Sequence, residues 1–222
     1  IHTFQSLELK RPVQPDEILD LSCTLARMIL SPKGLESEFT LDVRIKGERV
    51  WQGISVFLTR QPSPEKKKDK QTDKKPDKQK KKPTDPVLLE KKETIAVPAG
   101  TGRQYAAVSG DYNPHHLTNL TAKAFGFKTA IAHGMWSLAR TVAGLEGSHK
   151  ISNGPALVEA AFKRPVFMPA VTALGAESRG KDPKGNTVTE FELRDDQNAI
   201  PHLKARLVQP GTVPGIESPP DH

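Results

Sequence analysis

Several residue types that mark other protein classes are scarce in this sequence of 222 residues. A single cysteine, Cys23, excludes an intramolecular disulfide framework and a multi-cysteine zinc site. The longest apolar stretches, around 54–58 and 138–145, are interrupted by polar residues and fall far short of the roughly 20 apolar residues that span a bilayer. Residues 1–4 show no secretory signal, so we expect an intracellular protein without a transmembrane segment.

The positive charge is concentrated in one segment. Between Glu65 and Lys82 ten lysines stand against four acids, so this stretch carries +6 of the formal net charge of +7. Residues 61–86 are rich in lysine and proline and lack apolar side chains, which predicts a disordered linker. No aromatic residue is interleaved for base stacking, which favours a solvated connector over an electrostatic tether to RNA or anionic lipid. We therefore expect no specific nucleic-acid partner.

The regions on either side of this segment resemble each other. Residues 10–13 (KRPV) recur at 163–166, and the pattern Glu-Phe-x-Leu at 38–41 recurs at 190–193, so the offsets are 153 and 152. Alternating apolar residues follow in both copies, which predicts antiparallel strands. The alternating positions of the first copy are 39, 41, 43 and 45, then 50, 54, 56 and 58, and those of the second are 191 and 193, then 203, 205 and 207.

A helical section at 117–146 precedes only the second copy. Shifted back by the repeat offset, its counterpart would fall before residue 1. We therefore expect that this chain begins inside its first repeat and lacks that copy's first strand and central helix.

The stretch Tyr105–Leu117 contains the strongest chemical signal. The turn formers around Gly110 place Asp111 and His116 on a loop that leads into a short helix at 118–125. A carboxylate and an imidazole held on one loop suit proton transfer, because imidazole titrates near neutrality. The alternative is structural, with Asp111 capping a turn and His116 an ordinary buried histidine.

The next helix, at 134–146, is apolar over most of its surface, which predicts a core helix wrapped by a sheet. Met135, Leu138, Val142 and Leu145 lie on one of its faces. Its first residue, Gly134, presents free N–H groups and the positive end of the helix dipole, which suits an oxyanion site for a thioester carbonyl. Alternatively, Gly134 only permits tight packing of the helix on the sheet.

The pattern Ser-Gly-Asp-x-Asn-Pro-x-His at 109–116, followed by Ala-His-Gly-Met at 132–135, resembles the signature of MaoC-like, R-specific enoyl-CoA hydratases. This resemblance implies an α+β hot-dog fold, in which a curved antiparallel sheet surrounds a central helix. It further implies a double hot dog whose N-terminal half is incomplete. The internal repeat agrees with that architecture.

The resemblance also implies roles for individual residues. Asp111 and His116 would be the catalytic pair, and the Gly134 amide would bind the carbonyl oxygen. The residues that would support the loop or bind substrate are Asn113, Tyr105, His133 and Ser109. The implied reaction is reversible hydration of trans-2-enoyl thioesters of CoA or a carrier protein to 3R-hydroxyacyl thioesters, with no metal or other cofactor. A homodimer is compatible with this family. The alternatives are a hot-dog protein that binds acyl thioesters without turnover, and a protein that associates with partners through its lysine-rich linker.

Two positions depart from the family pattern. His115 stands where the family usually has an aliphatic residue, which raises the question of metal binding or a shifted histidine role. Val142 stands where the family often has a serine near the catalytic pair, with Thr141 beside it. Ser109 and Ser137 do not form the Gly-x-Ser-x-Gly pattern of a nucleophile elbow, which argues against covalent hydrolase chemistry.

The predicted organisation has four parts. Residues 1–60 form the degenerate half, 61–86 the linker, 87–210 the catalytic hot-dog domain and 211–222 a flexible tail. The first half lacks the Asp-x-Asn-Pro-x-His motif. We therefore expect it to be catalytically silent and to shape the tunnel for the acyl chain.

Overall fold

The computed structural model describes residues 1–60, 88–146 and 154–211. The predicted linker at 61–86 lies outside the described residues, as does all of the predicted tail except Gly211. No helix within the described ranges is long and apolar enough to cross a membrane.

The described residues form four helices and nine strands. The helices are α1 (Thr101–Ser109), α2 (Pro114–Leu117), α3 (Asn119–Ala124) and α4 (Gly134–Glu146). The strands are β1 (His2–Leu9), β2 (Asp20–Ser31), β3 (Gly34–Ile45), β4 (Glu48–Thr59), β5 (Lys91–Val97), β6 (Ala156–Phe162), β7 (Ala170–Lys181), β8 (Thr187–Asp195) and β9 (Pro201–Gln209). The strands pair into one sheet, in the order β2-β3-β4-β1-β6-β9-β8-β7-β5, and every pairing is antiparallel.

The internal repeat is visible in the strand order. The two halves meet at the pairing of β1 with β6. Outward from this pairing, the first half has the order β1-β4-β3-β2 and the second half has the equivalent order β6-β9-β8-β7. The second half also has β5 at its edge and α4 against its sheet, whereas residues 1–60 contain no helix. On β2 the apolar residues Leu21, Leu25 and Met28 are exposed.

Helix α4 occupies the core of the second half, with the bounds that the sequence predicts. Its most buried residues are Ser137, Leu138, Thr141 and Leu145, and Met135, Trp136 and Val142 pack partly buried around them. The buried face is thus rotated from the predicted one and includes two hydroxyl side chains. Both hydroxyls are satisfied within the helix, because Ser137 Oγ donates to the His133 carbonyl and Thr141 Oγ1 to the Ser137 carbonyl. The sheet residues that complete this core include Ile95, Ala160, Leu174, Phe191, Leu193 and Leu203.

Strand β4 has the predicted alternating residues on one face and further apolar residues on the other. Direct cross-strand partners share a face of the sheet. Phe39 pairs with Ser55, so Ile54 and Val56 point to the face opposite Phe39. Trp51 and Phe57 provide the apolar side chains of β4 on the Phe39 face, which makes β4 apolar on both sides.

A buried ion pair binds the main chain of Leu89, just before β5 begins. Glu192 and Arg194 are bonded to each other, Glu192 Oε1 accepts from Leu89 N at 3.2 Å, and Arg194 Nη1 donates to Leu89 O at 3.0 Å. Gly175 leaves space for this main chain, since a β-carbon there would lie 3.0 Å from Leu89 O. The paired charges satisfy both main-chain groups of Leu89 and each other, as buried charges require.

Candidate active site

Helix α1 packs against the predicted catalytic loop and was not foreseen from the sequence. A β-carbon on Gly102 would lie 1.9 Å from the His116 carbonyl oxygen, so only glycine permits this approach. The helix ends at Gly110, whose φ of +73° is the left-handed conformation that glycine adopts without strain. The chain then turns directly into Asp111.

Asp111 sits in a turn that its own carboxylate organises. Its Oδ1 accepts from Asn113 N at 3.1 Å and from Asn113 Nδ2 at 2.6 Å. Ser109 Oγ donates to the Tyr105 carbonyl at 2.9 Å and accepts from Asp111 N at 3.2 Å. Asn113 and Ser109 therefore hold the loop, the role that the family resemblance implies for Asn113.

His116 lies in α2, a single turn that begins at Pro114, and it is buried. Its Nδ1 is 2.8 Å from the Ile131 carbonyl oxygen. A carbonyl only accepts hydrogen bonds, so Nδ1 carries the proton and Nε2 has the free lone pair. Burial lowers the pKa of His116 to about 4, although its bond to Ile131 opposes this shift. The imidazole is therefore a neutral base at physiological pH.

His133 lies directly before α4 and contacts both members of the predicted pair. Its ring stacks on His116 with centroids 3.6 Å apart and an interplanar angle of 23°. Its Nε2 is 2.9 Å from the Asp111 main-chain oxygen and 3.7 Å from Asp111 Oδ2. The Tyr105 ring lies on His133 with centroids 4.9 Å apart. Burial and the Asp111 charge raise the pKa of Tyr105, which keeps its hydroxyl protonated.

The side chains of Asp111, His116 and His133 converge, with potential ligand atoms all within 4.8 Å of one another. Two imidazoles and a carboxylate are a donor set that Zn²⁺ accepts. Here the two rings are nearly parallel, so their in-plane lone pairs do not point at a common ion. One nitrogen of each ring also bonds to a main-chain carbonyl. The arrangement suits proton transfer better than metal coordination.

Gly134 begins α4 beside this cluster. The first N–H groups of a helix have no carbonyl partner within it, so they are available to an oxygen of a ligand. A β-carbon on Gly134 would lie 3.2 Å from Cε1 of Phe162, so the glycine also lets this ring pack against the helix start. Both interpretations of Gly134 from the sequence are therefore compatible with the geometry.

Aromatic rings lead from Gly134 into the first half of the sheet. His2 lies between Phe162 and Phe57, with ring centroids 4.6 Å from each. Phe57 in turn meets Phe39 edge to face at 6.0 Å. We name Phe162, His2, Phe57 and Phe39 the aromatic row. Only Phe39 of this row stands out in the sequence, because the four residues come from four strands that pairing alone brings together.

The two departures from the family pattern have structural explanations. His115 is half-buried and packs against Phe125, Phe127 and the His116 ring, with centroids 5.8, 5.6 and 4.1 Å away, so it fills space as an aliphatic residue would. Val142 belongs to the core, and the Thr141 hydroxyl bonds within the helix. Thr141 therefore does not replace the missing serine as a support for the loop.

Comparison with known proteins places the chain in a family. The sequence model for the MaoC like domain matches residues 67–197, more than half of the chain. The chain belongs to the MaoC-like family. The resemblance noted in the sequence is therefore confirmed, and so is the expectation of a dehydratase, the class named for the relative described next.

The MaoC-like chain has similar proteins along almost its whole length. It is 27% identical over 216 residues to 3-hydroxyacyl-thioester dehydratase X of Mycobacterium tuberculosis, and the match covers 93% of this chain and 68% of that protein. The crystal structure of HtdX from Mycobacterium tuberculosis superposes with a TM-score of 0.71 at 24% identity, covering 93% of this chain and 73% of that one. A MaoC-like dehydratase from Phytophthora capsici gives 0.72 at 19% identity, covering 96% and 72%. These structures confirm the expected hot-dog fold.

Proposed function

We propose that this chain catalyses the reversible hydration of trans-2-enoyl thioesters to 3R-hydroxyacyl thioesters, with Asp111 and His116 as the acid–base pair. The observation that carries the proposal is the convergence of a carboxylate with a neutral imidazole within 4.8 Å, beside the first turn of α4. The similar protein of Mycobacterium tuberculosis is named for dehydration of 3-hydroxyacyl thioesters, which is the reverse of this reaction.

In the hydration direction a water molecule bonds to both members of the pair. Its oxygen adds to C3 of the enoyl group, and one of its protons moves to Nε2 of His116. The electron pair of the double bond moves toward the thioester carbonyl, whose oxygen accepts a hydrogen bond from the Gly134 amide. The proton then moves from His116 to C2, so the pair returns to its starting state and one water has been added.

Each residue suits its step. The bond from His116 Nδ1 to Ile131 fixes the tautomer that leaves Nε2 as the base. Asn113 Nδ2 donates to Asp111 Oδ1 and so fixes the orientation of the Asp111 carboxylate. Dehydration follows the same path in reverse.

The first half of the sheet has no acid–base motif, and we propose that its apolar face receives the acyl chain. The aromatic row connects the start of α4 with this face. The proposal also includes the predicted division of the chain, in which residues 1–60 form a catalytically silent half and residues 87–210 form the catalytic domain. The substrate would be carried on CoA or on a carrier protein.

The experiment is a turnover assay with crotonyl-CoA, in which hydration is measured as the loss of the enoyl absorbance. Asp111→Asn and His116→Ala should each lower kcat by roughly 10²- to 10⁴-fold, the contribution of general acid–base catalysis. Stereochemistry is read by oxidising the product with a 3R-specific or a 3S-specific hydroxyacyl-CoA dehydrogenase.

Matched controls are Asp182→Asn, an aspartate in another turn, and His202→Ala, a histidine bonded to the Arg164 carbonyl outside the site. Both should keep wild-type turnover. Binding of crotonyl-CoA without turnover by the wild-type chain would instead identify a non-catalytic acyl-thioester-binding protein.

A further inference from the structure

His133 is the residue through which the two proposed catalytic groups are connected. It is 2% exposed, its ring stacks on His116, and its Nε2 lies against Asp111. Within the described ranges, no side-chain hydrogen bond joins Asp111 to His116 directly. The position of one relative to the other therefore depends on the residue between them.

The hydrogen bond of His133 fixes its tautomer. The main-chain oxygen of Asp111, at 2.9 Å, and its carboxylate, at 3.7 Å, are both acceptors, so Nε2 carries a proton. The ring therefore donates to the turn that presents the Asp111 carboxylate. A phenylalanine would fill the same volume but could not make this bond.

The other ring nitrogen indicates that His133 is not there for packing alone. His133 Nδ1 is buried and has no hydrogen-bond partner among the residues that the structure describes. An unpaired buried polar atom destabilises a fold, so an apolar ring would serve a purely structural role better.

We propose that His133 is a positioning residue, which holds the turn of Asp111 and the His116 imidazole in register by donating to the Asp111 main-chain oxygen and stacking on the His116 ring. This inference rests on the proposed function and adds a third member to its machinery. The ring contact keeps the plane of His116 fixed while its Nδ1 is bonded to Ile131.

The position of His133 also affects the charge of His116. The charged or titratable groups that face His133 are Asp111, His116, His115 and Tyr105. The electrostatic interaction with His133 lowers the pKa of His116, in addition to the larger effect of burial. Replacing His133 by a neutral polar residue should therefore raise the pKa of His116.

Two variants separate the contributions of His133. His133→Gln keeps an amide donor at a similar distance from the main chain but loses the ring, and His133→Phe keeps the ring but loses the donor. We expect kcat to fall about 100-fold in His133→Phe, as for a misplaced catalytic group, and no more than about 10-fold in His133→Gln. KM should change little in both, because His133 supports the pair and does not hold substrate. The matched controls, His202→Gln and His202→Phe, should leave kcat unchanged.

A second measurement does not depend on turnover. The imidazole of His116 is titrated by NMR in protein with labelled histidine, with its resonance assigned by its loss in His116→Ala. In His133→Gln the midpoint should move to higher pH than in the wild type, and in His202→Gln it should not move.

The results discriminate between the two proposals. Equal losses of kcat in folded His133→Gln and His133→Phe, wild-type kcat in His133→Phe, or an unmoved His116 titration in His133→Gln would each overturn the role of His133. Absence of turnover in the wild type would overturn the proposed function, and the NMR titration would then decide on His133 by itself.

Discussion

Gly102 and the main-chain carbonyl of His116 are in direct contact, and a β-carbon at residue 102 would come within 1.9 Å of that oxygen. The contact joins the first turn of α1 to α2, the single helical turn that contains His116. Both sides of it are main chain, so neither can move without displacing the element to which it belongs. The position of the proposed base thus depends on the glycine at residue 102.

Gly102→Ala should therefore lower both stability and turnover. Overpacking of this kind costs about 1–3 kcal/mol of unfolding free energy, and displacement of His116 should reduce kcat. Urea denaturation and the crotonyl-CoA assay measure the two effects. Gly100→Ala is the matched control, since a β-carbon on Gly100 would meet nothing within 4 Å. Equal stability and activity in the two variants would show that the α1 contact does not position His116.

The segment with the proposed catalytic pair and helix α4 could be predicted from the sequence because their signals are local. Asp111, Asn113 and His116 lie within six residues of chain, and the bounds of α4 agree with the structure. The contact of Gly102 with His116 could not be predicted, because nothing in the residues around 102 indicates what packs there.

The features that were missed depend on strand pairing and on helix rotation. Alternation along β4 does not reveal which of its two apolar faces meets Phe39, since that depends on the register with β3. The stacking of His133 on His116 likewise joins residues from two elements. Ser137 and Thr141 lie on the buried face of α4 because each hydroxyl bonds to a carbonyl one turn earlier.

The low pKa of His116, about 4, predicts how activity and stability depend on pH. The base must be neutral to accept a proton. As the pH is lowered, kcat/KM should therefore decrease with a midpoint near pH 4 and not near 6.5, the ordinary pKa of histidine. The unfolded chain binds a proton on this residue at higher pH than the folded chain. Folding stability should therefore fall as pH decreases from about 6.5 to 4, by up to about 3 kcal/mol.

Urea denaturation at several pH values measures this loss, and His116→Gln provides the comparison. The variant lacks the titrating group, so its stability should decrease less over the same range. An acid limb near pH 6.5 in the wild type, or identical stability profiles in the two proteins, would contradict a buried neutral His116.

Gly134→Ala should reduce turnover because the added methyl group would crowd the Phe162 ring. The added methyl group would lie 3.2 Å from the ring, so the helix start and the ring must separate by a few tenths of an ångström. The first amide of α4 would then be displaced from the thioester oxygen, and we expect kcat to fall about 10-fold.

A smaller side chain at residue 162 should reverse this loss. Gly134→Ala combined with Phe162→Leu is expected to recover most of the activity, with Phe162→Leu alone as the reference. If the double variant is no better than Gly134→Ala, the loss has a cause other than the contact with Phe162.

Phe57 provides the test of where the acyl chain lies. It is 38% exposed, so its removal should cost the fold little, and it follows Phe162 and His2 in the aromatic row. Each methylene buried from water contributes about 0.8 kcal/mol, so the loss of contacts to two carbons should lower kcat/KM about 10-fold. Phe57→Ala should therefore lower kcat/KM for trans-2-dodecenoyl-CoA and leave that for crotonyl-CoA unchanged. Val56→Ala, on the opposite face of the same strand, is the matched control and should change neither value. An equal loss with both substrates would place Phe57 near the reacting carbons, whereas no loss with the long substrate would mean that the acyl chain does not follow the aromatic row.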